Sequence, residues 1–216
     1  MAPMAVPRPA PGEVLSTGPP SEPRQAATVI LLRGGAAALE VLLVRRNPAQ
    51  HFMGGAWVFP GGAVDAHEGA GDLAHRLAGV REMAEEAAVE LPDPATLIKF
   101  SQWITPPQVR IRFDTHFFLA ALPDGAEPRA DGEECVDLGW FTPRGALDAH
   151  QAGQILLVFP TIKHLEQLEP FSSADHLLSW ARGRRVLPVE PHIVVEGEIA
   201  RVVLPGEPGY SDVQVE

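Results

Sequence analysis

Glu82, Glu85 and Glu86 stand at i, i+3 and i+4, a spacing that sets three carboxylates on one face of a helix. Carboxylates so close repel unless something neutralises them. A hard divalent cation with oxygen ligands does so, and Mg²⁺ typically takes one or two carboxylates together with substrate phosphates. Arg81 lies four residues before Glu85, within reach of a neighbouring carboxylate. Upstream, Phe59-Pro60-Gly61-Gly62 ends an apolar run with two residues whose backbone can come close to a metal ion or a phosphate. Taken alone, the acidic helix face fits a solvated surface with an arginine pair better than a metal site, and Pro-Gly-Gly fits an ordinary turn. Their conjunction is what points to metal-assisted phosphate chemistry.

These residues need elements to hold them. Leu73, Leu77, Val80, Ala84, Ala87 and Leu91 recur at helical steps and predict a helix over residues 71–91, stopped by Pro92, with the glutamates opposite this stripe. Strands are predicted at 27–33 and 40–46, joined by a hairpin at Gly34-Gly35, and at 97–104, 113–122 and 136–141. Asn47 to Gly55 reads as a loop. Thr142-Pro143 starts a helix to about Gln151, and further helices are expected near 161–169 and 174–182. The stretch from Val186 has strand-like pieces broken by prolines. Strands around one long helix, with helices appended later, make a mixed α/β sandwich. Residues 1–24 hold seven prolines and are expected to form a flexible arm, with one domain over 25–216 that includes the C-terminal helices and tail.

Composition narrows the function. With 216 residues, 45% apolar and 21% charged, the chain has the profile of a globular domain. No run approaches the ~18–20 apolar residues of a membrane span, the N-terminus lacks a signal-peptide core, and the lone Cys135 has no disulfide partner. A cytoplasmic protein is expected. Net charge of −11 argues against a nucleic-acid polymer as partner. A small anionic nucleotide is compatible with it if positive charge is supplied locally. A homodimer is left open.

The segment from Gly61 to Val89 resembles the Nudix box, G-x5-E-x7-R-E-U-x-E-E-x-G-U, with U aliphatic. Gly62 to Glu68 matches its first half, and Arg81-Glu82-Met83-Ala84-Glu85-Glu86-Ala87 with Val89 matches its second. Twelve residues separate Glu68 from Arg81 instead of seven, which reads as a five-residue insertion in the loop before the helix and leaves the role of Glu68 open. Ala88 replaces the box glycine, suggesting a helix that continues to about Leu91.

The resemblance implies a Nudix α/β/α sandwich over roughly residues 26–170 and a Mg²⁺- or Mn²⁺-dependent diphosphatase. It implies metal ligands at Glu85, Glu86, Glu82 and the Gly61 carbonyl. Arg81 would orient the carboxylates, and Glu82 serves as ligand or base. A further carboxylate would come from Glu133 or Glu134, whose loop reads equally well as plain polar surface. Leu42 to Arg46, Phe52 to Ala56, Trp103 to Pro106, Arg112 to Phe118 and Phe159 to Thr161 are similar to the peroxisomal coenzyme A diphosphatase branch of the family. A second coenzyme A-cleaving motif, LLTxRSxxLRxHxGxxxFPGG, is met in part at Leu42, Leu43, Arg46, Gly55 and Phe59–Gly62. Coenzyme A or its acyl form is therefore the expected substrate. The alternatives are another nucleotide (ADP-ribose, NADH, a dinucleoside polyphosphate) or a non-catalytic nucleotide sensor. Arg46 and Arg112 are candidate phosphate contacts and Trp103 a candidate stacking partner. Arg110 and Arg112 are expected to share one strand face.

Overall fold

The computed structural model of the chain describes residues 16, 18–196, 199–208 and 210. The other residues expected in the N-terminal arm, 1–15 and 17, lie outside them. Within the described part, Ser16 donates its amide to Gln108, and the first strand already begins at Arg24.

Strand β1 (Arg24–Arg33) forms the centre of the molecule. Its middle, Ala26 to Leu32, is almost continuously apolar because both of its faces are covered. Around it stand β2 (Glu40–Arg46), β3 (Trp57–Val58), β4 (Gly61–Ala63), β5 (Ile98–Ile104), β6 (Phe113–Ala121), β7 (Cys135–Phe141) and β8 (Pro188–Val189). The sheet runs β3-β2-β1-β6-β5-β8, with β4 pairing to β1 and β7 to β2. The β1–β6 pair is parallel and the β1–β2 hairpin antiparallel, so the sheet is mixed.

Helices cover both faces. Ala27, Val29, Leu31, Leu42 and Val44 pack with residues of α1 (Asp72–Ala87). Ile30, Leu32, Val41 and Leu43 face α2 (Pro143–Gln151), α3 (Phe159–Leu168) and α4 (Ala174–Ala181). The alternation along β1 and β2 thus separates two cores, and the fold is the expected α/β/α sandwich. The stretch beyond Val186 resolves into β8 and a separate hairpin of β9 (His192–Glu196) and β10 (Ile199–Val203). Among the described residues no helix is long and apolar enough to cross a membrane.

Helix α1 corrects three expectations. It ends at Ala87, not Leu91. Ala88 itself adopts the left-handed conformation (φ 53°, ψ 34°) that the box glycine would supply, and the Val89 amide turns back to the Met83 carbonyl at 3.1 Å. The extra residues before Arg81 are mostly helix: only Gly69-Ala70-Gly71 separate α1 from the 3₁₀ turn Ala66–Glu68. Finally, the buried face is Ala74, His75, Ala78, Gly79, Glu82, Met83, Glu86 and Ala87, while Leu73 is 61% exposed. Small residues let the helix lie close to β1. A Cβ on Gly79 would come to 3.0 Å from a Val29 methyl. Glu82 and Glu86 therefore lie on the buried face and not opposite it, while Glu85 is exposed.

Candidate active site

The site lies where β4 meets the C-terminal half of α1. The Gly61 amide donates to Glu86 Oε2 at 2.9 Å. Gly62 packs so tightly on Glu82 that a Cβ there would lie 2.2 Å from Oε1. Gly61 has no more room, since its Cβ would meet the Ala27 carbonyl at 2.4 Å. Both glycines are thus required by close approach: β4 must fit between β1 and the helix carboxylates.

Arg81 organises the cluster. Its Nε donates to Glu68 Oε1 at 3.0 Å, Nη1 to Glu82 Oε1 at 2.7 Å and Glu85 Oε2 at 2.9 Å, and Nη2 to the Ala63 carbonyl at 2.8 Å. Burial disfavours its charge, but the hydrogen bonds to Glu68, Glu82 and Glu85 outweigh this and hold the guanidinium firmly protonated. The inserted residues do not displace Glu68. The 3₁₀ turn carries it back to Arg81, with its second oxygen accepting the Asp65 amide at 2.6 Å.

The second cation is Arg46, at the end of β2. Its Nη2 donates to Glu134 Oε1 at 2.6 Å, and its Nη1 lies 3.6 Å from Glu86 Oε1. Glu134 therefore belongs to the cluster. Its neighbour Glu133 contributes a backbone carbonyl to the Asn47 side chain instead. The buried Cys135 follows on β7, its thiol pushed up by burial and by the nearby Glu86 carboxylate.

Burial raises both inner carboxyls. Glu86, with a side chain 3% exposed, is pushed up to about 7, because desolvation outweighs the Gly61 amide and Arg46. Burial likewise raises Glu82 against the pull of Arg81, with Glu85 and Glu134 adding to the rise. Glu86 Oε1 is buried without a hydrogen-bond partner among the described residues. A desolvated, unsatisfied carboxylate oxygen amid other carboxylates is the donor chemistry a hard cation takes, and the residues fit one. Among the described residues no three Asp, Glu, His or Cys side chains already converge as a ready metal site; Arg81 and Arg46 pair with the carboxylates instead.

Gly61, Gly62 and Arg46 also line a cleft of about 210 Å³ beside the carboxylates. Its walls include Phe52, Val58, Trp103, Val109, Phe113 and Phe159. Trp103, expected as a substrate contact, does line it. Arg112 does not take the expected role. It is buried, and it ties the carbonyls of Ser21 (2.8 Å) and Thr105 (3.0 Å) to Glu190 (2.7 Å). Nor do Arg110 and Arg112 share a strand face, because β6 begins only at Phe113.

The NUDIX domain family model matches residues 22–158. The chain belongs to the Nudix family. It is 25% identical over 225 residues to putative nudix hydrolase 7 of Caenorhabditis elegans, covering 88% of this chain and 75% of that one. To the human acyl-coenzyme A diphosphatase NUDT19 it is 24% identical over 306 residues, covering 89% and 82%. The crystal structure of a NUDIX hydrolase from Alicyclobacillus acidocaldarius superposes with a TM-score of 0.65 at 28% identity, covering 74% of this chain and 96% of that one. The protein is a Nudix hydrolase acting on diphosphate bonds, in a family that works with divalent metal ions.

Proposed function

We propose that this Nudix hydrolase cleaves the diphosphate of coenzyme A or of an acyl-coenzyme A, with Mg²⁺ or Mn²⁺ bound by Glu82, Glu85, Glu86 and the Gly61 carbonyl, and Glu134 adding a further carboxylate. The observation that carries the reading is the position of this cluster against Gly61–Gly62, at the mouth of an apolar cleft. The likeness to NUDT19 supports the choice of substrate.

When bound, the metal supplies charge compensation for the diphosphate oxygens and a more acidic water. The chain's own residues do the rest. Arg81 fixes Glu82 through Oε1 and leaves Oε2 to receive a proton from the attacking water. Burial raises the Glu82 carboxyl, making it a stronger base than an ordinary glutamate. Arg46, held between Glu86 and Glu134, is placed to meet a phosphate oxygen as the substrate arrives. The expected setting is the cytoplasm.

A substrate panel tests the reading: coenzyme A, ADP-ribose, NADH and a dinucleoside polyphosphate, each with Mg²⁺, with Mn²⁺ and with chelator. Coenzyme A should turn over fastest, giving phosphopantetheine and adenosine 3′,5′-bisphosphate. Hydrolysis in ¹⁸O-labelled water then shows which phosphorus is attacked. Turnover of ADP-ribose with coenzyme A untouched would overturn the choice of substrate.

A further inference from the structure

The cleft lined by Gly61 and Gly62 is walled partly by residues beyond the stretch that the NUDIX domain model matches, which ends at Val158. Phe159 and Pro160 come from the start of α3. Pro191, Ile193 and Val202 come from the β9–β10 hairpin and the turn leading to it. The hairpin is tied down at its base. Arg112 grips Glu190 at 2.7 Å, the Tyr210 hydroxyl donates to the Glu190 carbonyl at 3.0 Å, and β8 pairs with β5 beside Trp103.

Charge decides what enters. Among the described residues Arg46 is the sole charged one in the lining, and it is the one that pairs with Glu86 and Glu134. A diphosphate lying against Gly61–Gly62 presents two halves to the rest of the protein. The 3′-phosphoadenosine half of coenzyme A carries further negative charge, and burying it among Phe52, Val109, Phe113 and Phe159 would leave that charge unpaired. The pantetheine half is uncharged, and its acyl extension is apolar. Trp103 adds a second, independent observation. It is 6% exposed, lines the cleft, and its Nε1 is buried without a hydrogen-bond partner among the described residues. An unused indole donor there suits an amide or thioester carbonyl of the incoming chain.

We infer that the C-terminal hairpin completes an acyl-chain pocket, so that the enzyme selects acylated coenzyme A over the free thiol through residues outside the stretch matched by the NUDIX domain model. The inference rests on the coenzyme A reading above. It makes Ile193 and Trp103 specificity-determining residues, and it gives Arg112 and Glu190 the task of positioning the hairpin.

The test is kcat/KM for free coenzyme A and a series of straight-chain acyl-coenzyme A thioesters, with ADP-ribose measured in parallel. With each buried methylene, kcat/KM should rise by up to about fourfold until the cleft is full, then level off. In Ile193→Asp, and independently in Ile111→Asp at the exposed rim of the cleft, the dependence on chain length should flatten. In Leu187→Asp, exposed and outside the cleft, it should persist. A flat chain-length series in the wild type, with coenzyme A still cleaved, overturns the pocket while leaving the substrate reading intact. An unchanged slope in both aspartate variants does the same. Cleavage of ADP-ribose alone overturns both.

Discussion

Glu68 and Arg81 are separated by twelve intervening residues, yet the Arg81 guanidinium donates to the Glu68 carboxylate at 3.0 Å. The extra residues are absorbed as helix at the start of α1, and the 3₁₀ turn Ala66–Glu68 brings the glutamate back. Glu68 thereby positions Arg81, which in turn holds Glu82 and Glu85. Replacing Glu68 by Ala frees Arg81 Nε and should lower kcat by about 10- to 100-fold, the usual cost of losing an orienting partner at a metal site. The denaturation midpoint should fall only modestly. Unchanged kcat in Glu68→Ala would show that Arg81 needs no anchor.

Glycine at 62 is a matter of space. In Gly62→Ala the new methyl would lie 2.2 Å from Glu82 Oε1, so either β4 or the carboxylate must move. Activity should drop by two orders of magnitude or more, with the sheet intact by circular dichroism. Near-wild-type turnover would mean that the position of Glu82 is not critical.

The Glu86 carboxyl gives a pH signature in metal-free buffer. Its folded-state value, about 7, lies above the unfolded 4.5, so its favourable contribution is complete at low pH and is lost as pH rises through 7. His116 and His164 act oppositely: burial lowers both to about 4, so their contribution is full above the unfolded 6.5 and is lost as pH falls. A comparison of wild type with Glu86→Gln cancels the histidines. The variant should be the more stable at pH 8, by about 3 kcal/mol at roughly 1.4 kcal/mol per pKa unit, and the difference should vanish near pH 4. Saturating Mg²⁺ should favour the wild type. Equal stabilities across this range would contradict a desolvated carboxylate.

Ala88 holds a left-handed backbone at an exposed helix end, which costs an alanine about 1–2 kcal/mol. Glycine removes that strain and gives back part of the gain through a freer unfolded chain. Ala88→Gly should therefore raise stability by up to about 1 kcal/mol, read from chemical denaturation, with activity unchanged. A loss of stability would show that the alanine side chain makes a contact worth more than the strain.

Much of the fold was legible because β1, β2, β5, β6 and β7 are rich in β-formers and are bounded by glycines and prolines. The carboxylate cluster was legible because its spacing is local. Three features were not. The buried face of α1 is built from Ala74, Ala78 and Gly79, residues too small to register as an apolar stripe, whereas Leu73 registers strongly and faces outward. Arg112 reads as a free cation because its partners, Ser21 and Glu190, are 91 and 78 residues away. The cleft is assembled from five or more separate stretches, and no local pattern marks Phe52, Val109 or Ile193 as neighbours.

The central claim is that the Glu82–Glu85–Glu86 face of α1 carries diphosphate hydrolysis. Its most direct test is Mg²⁺-dependent turnover of coenzyme A by Glu86→Gln, measured beside wild type at equal folded concentration. The account predicts a fall of two or more orders of magnitude with the fold retained, and full turnover in the variant would contradict it.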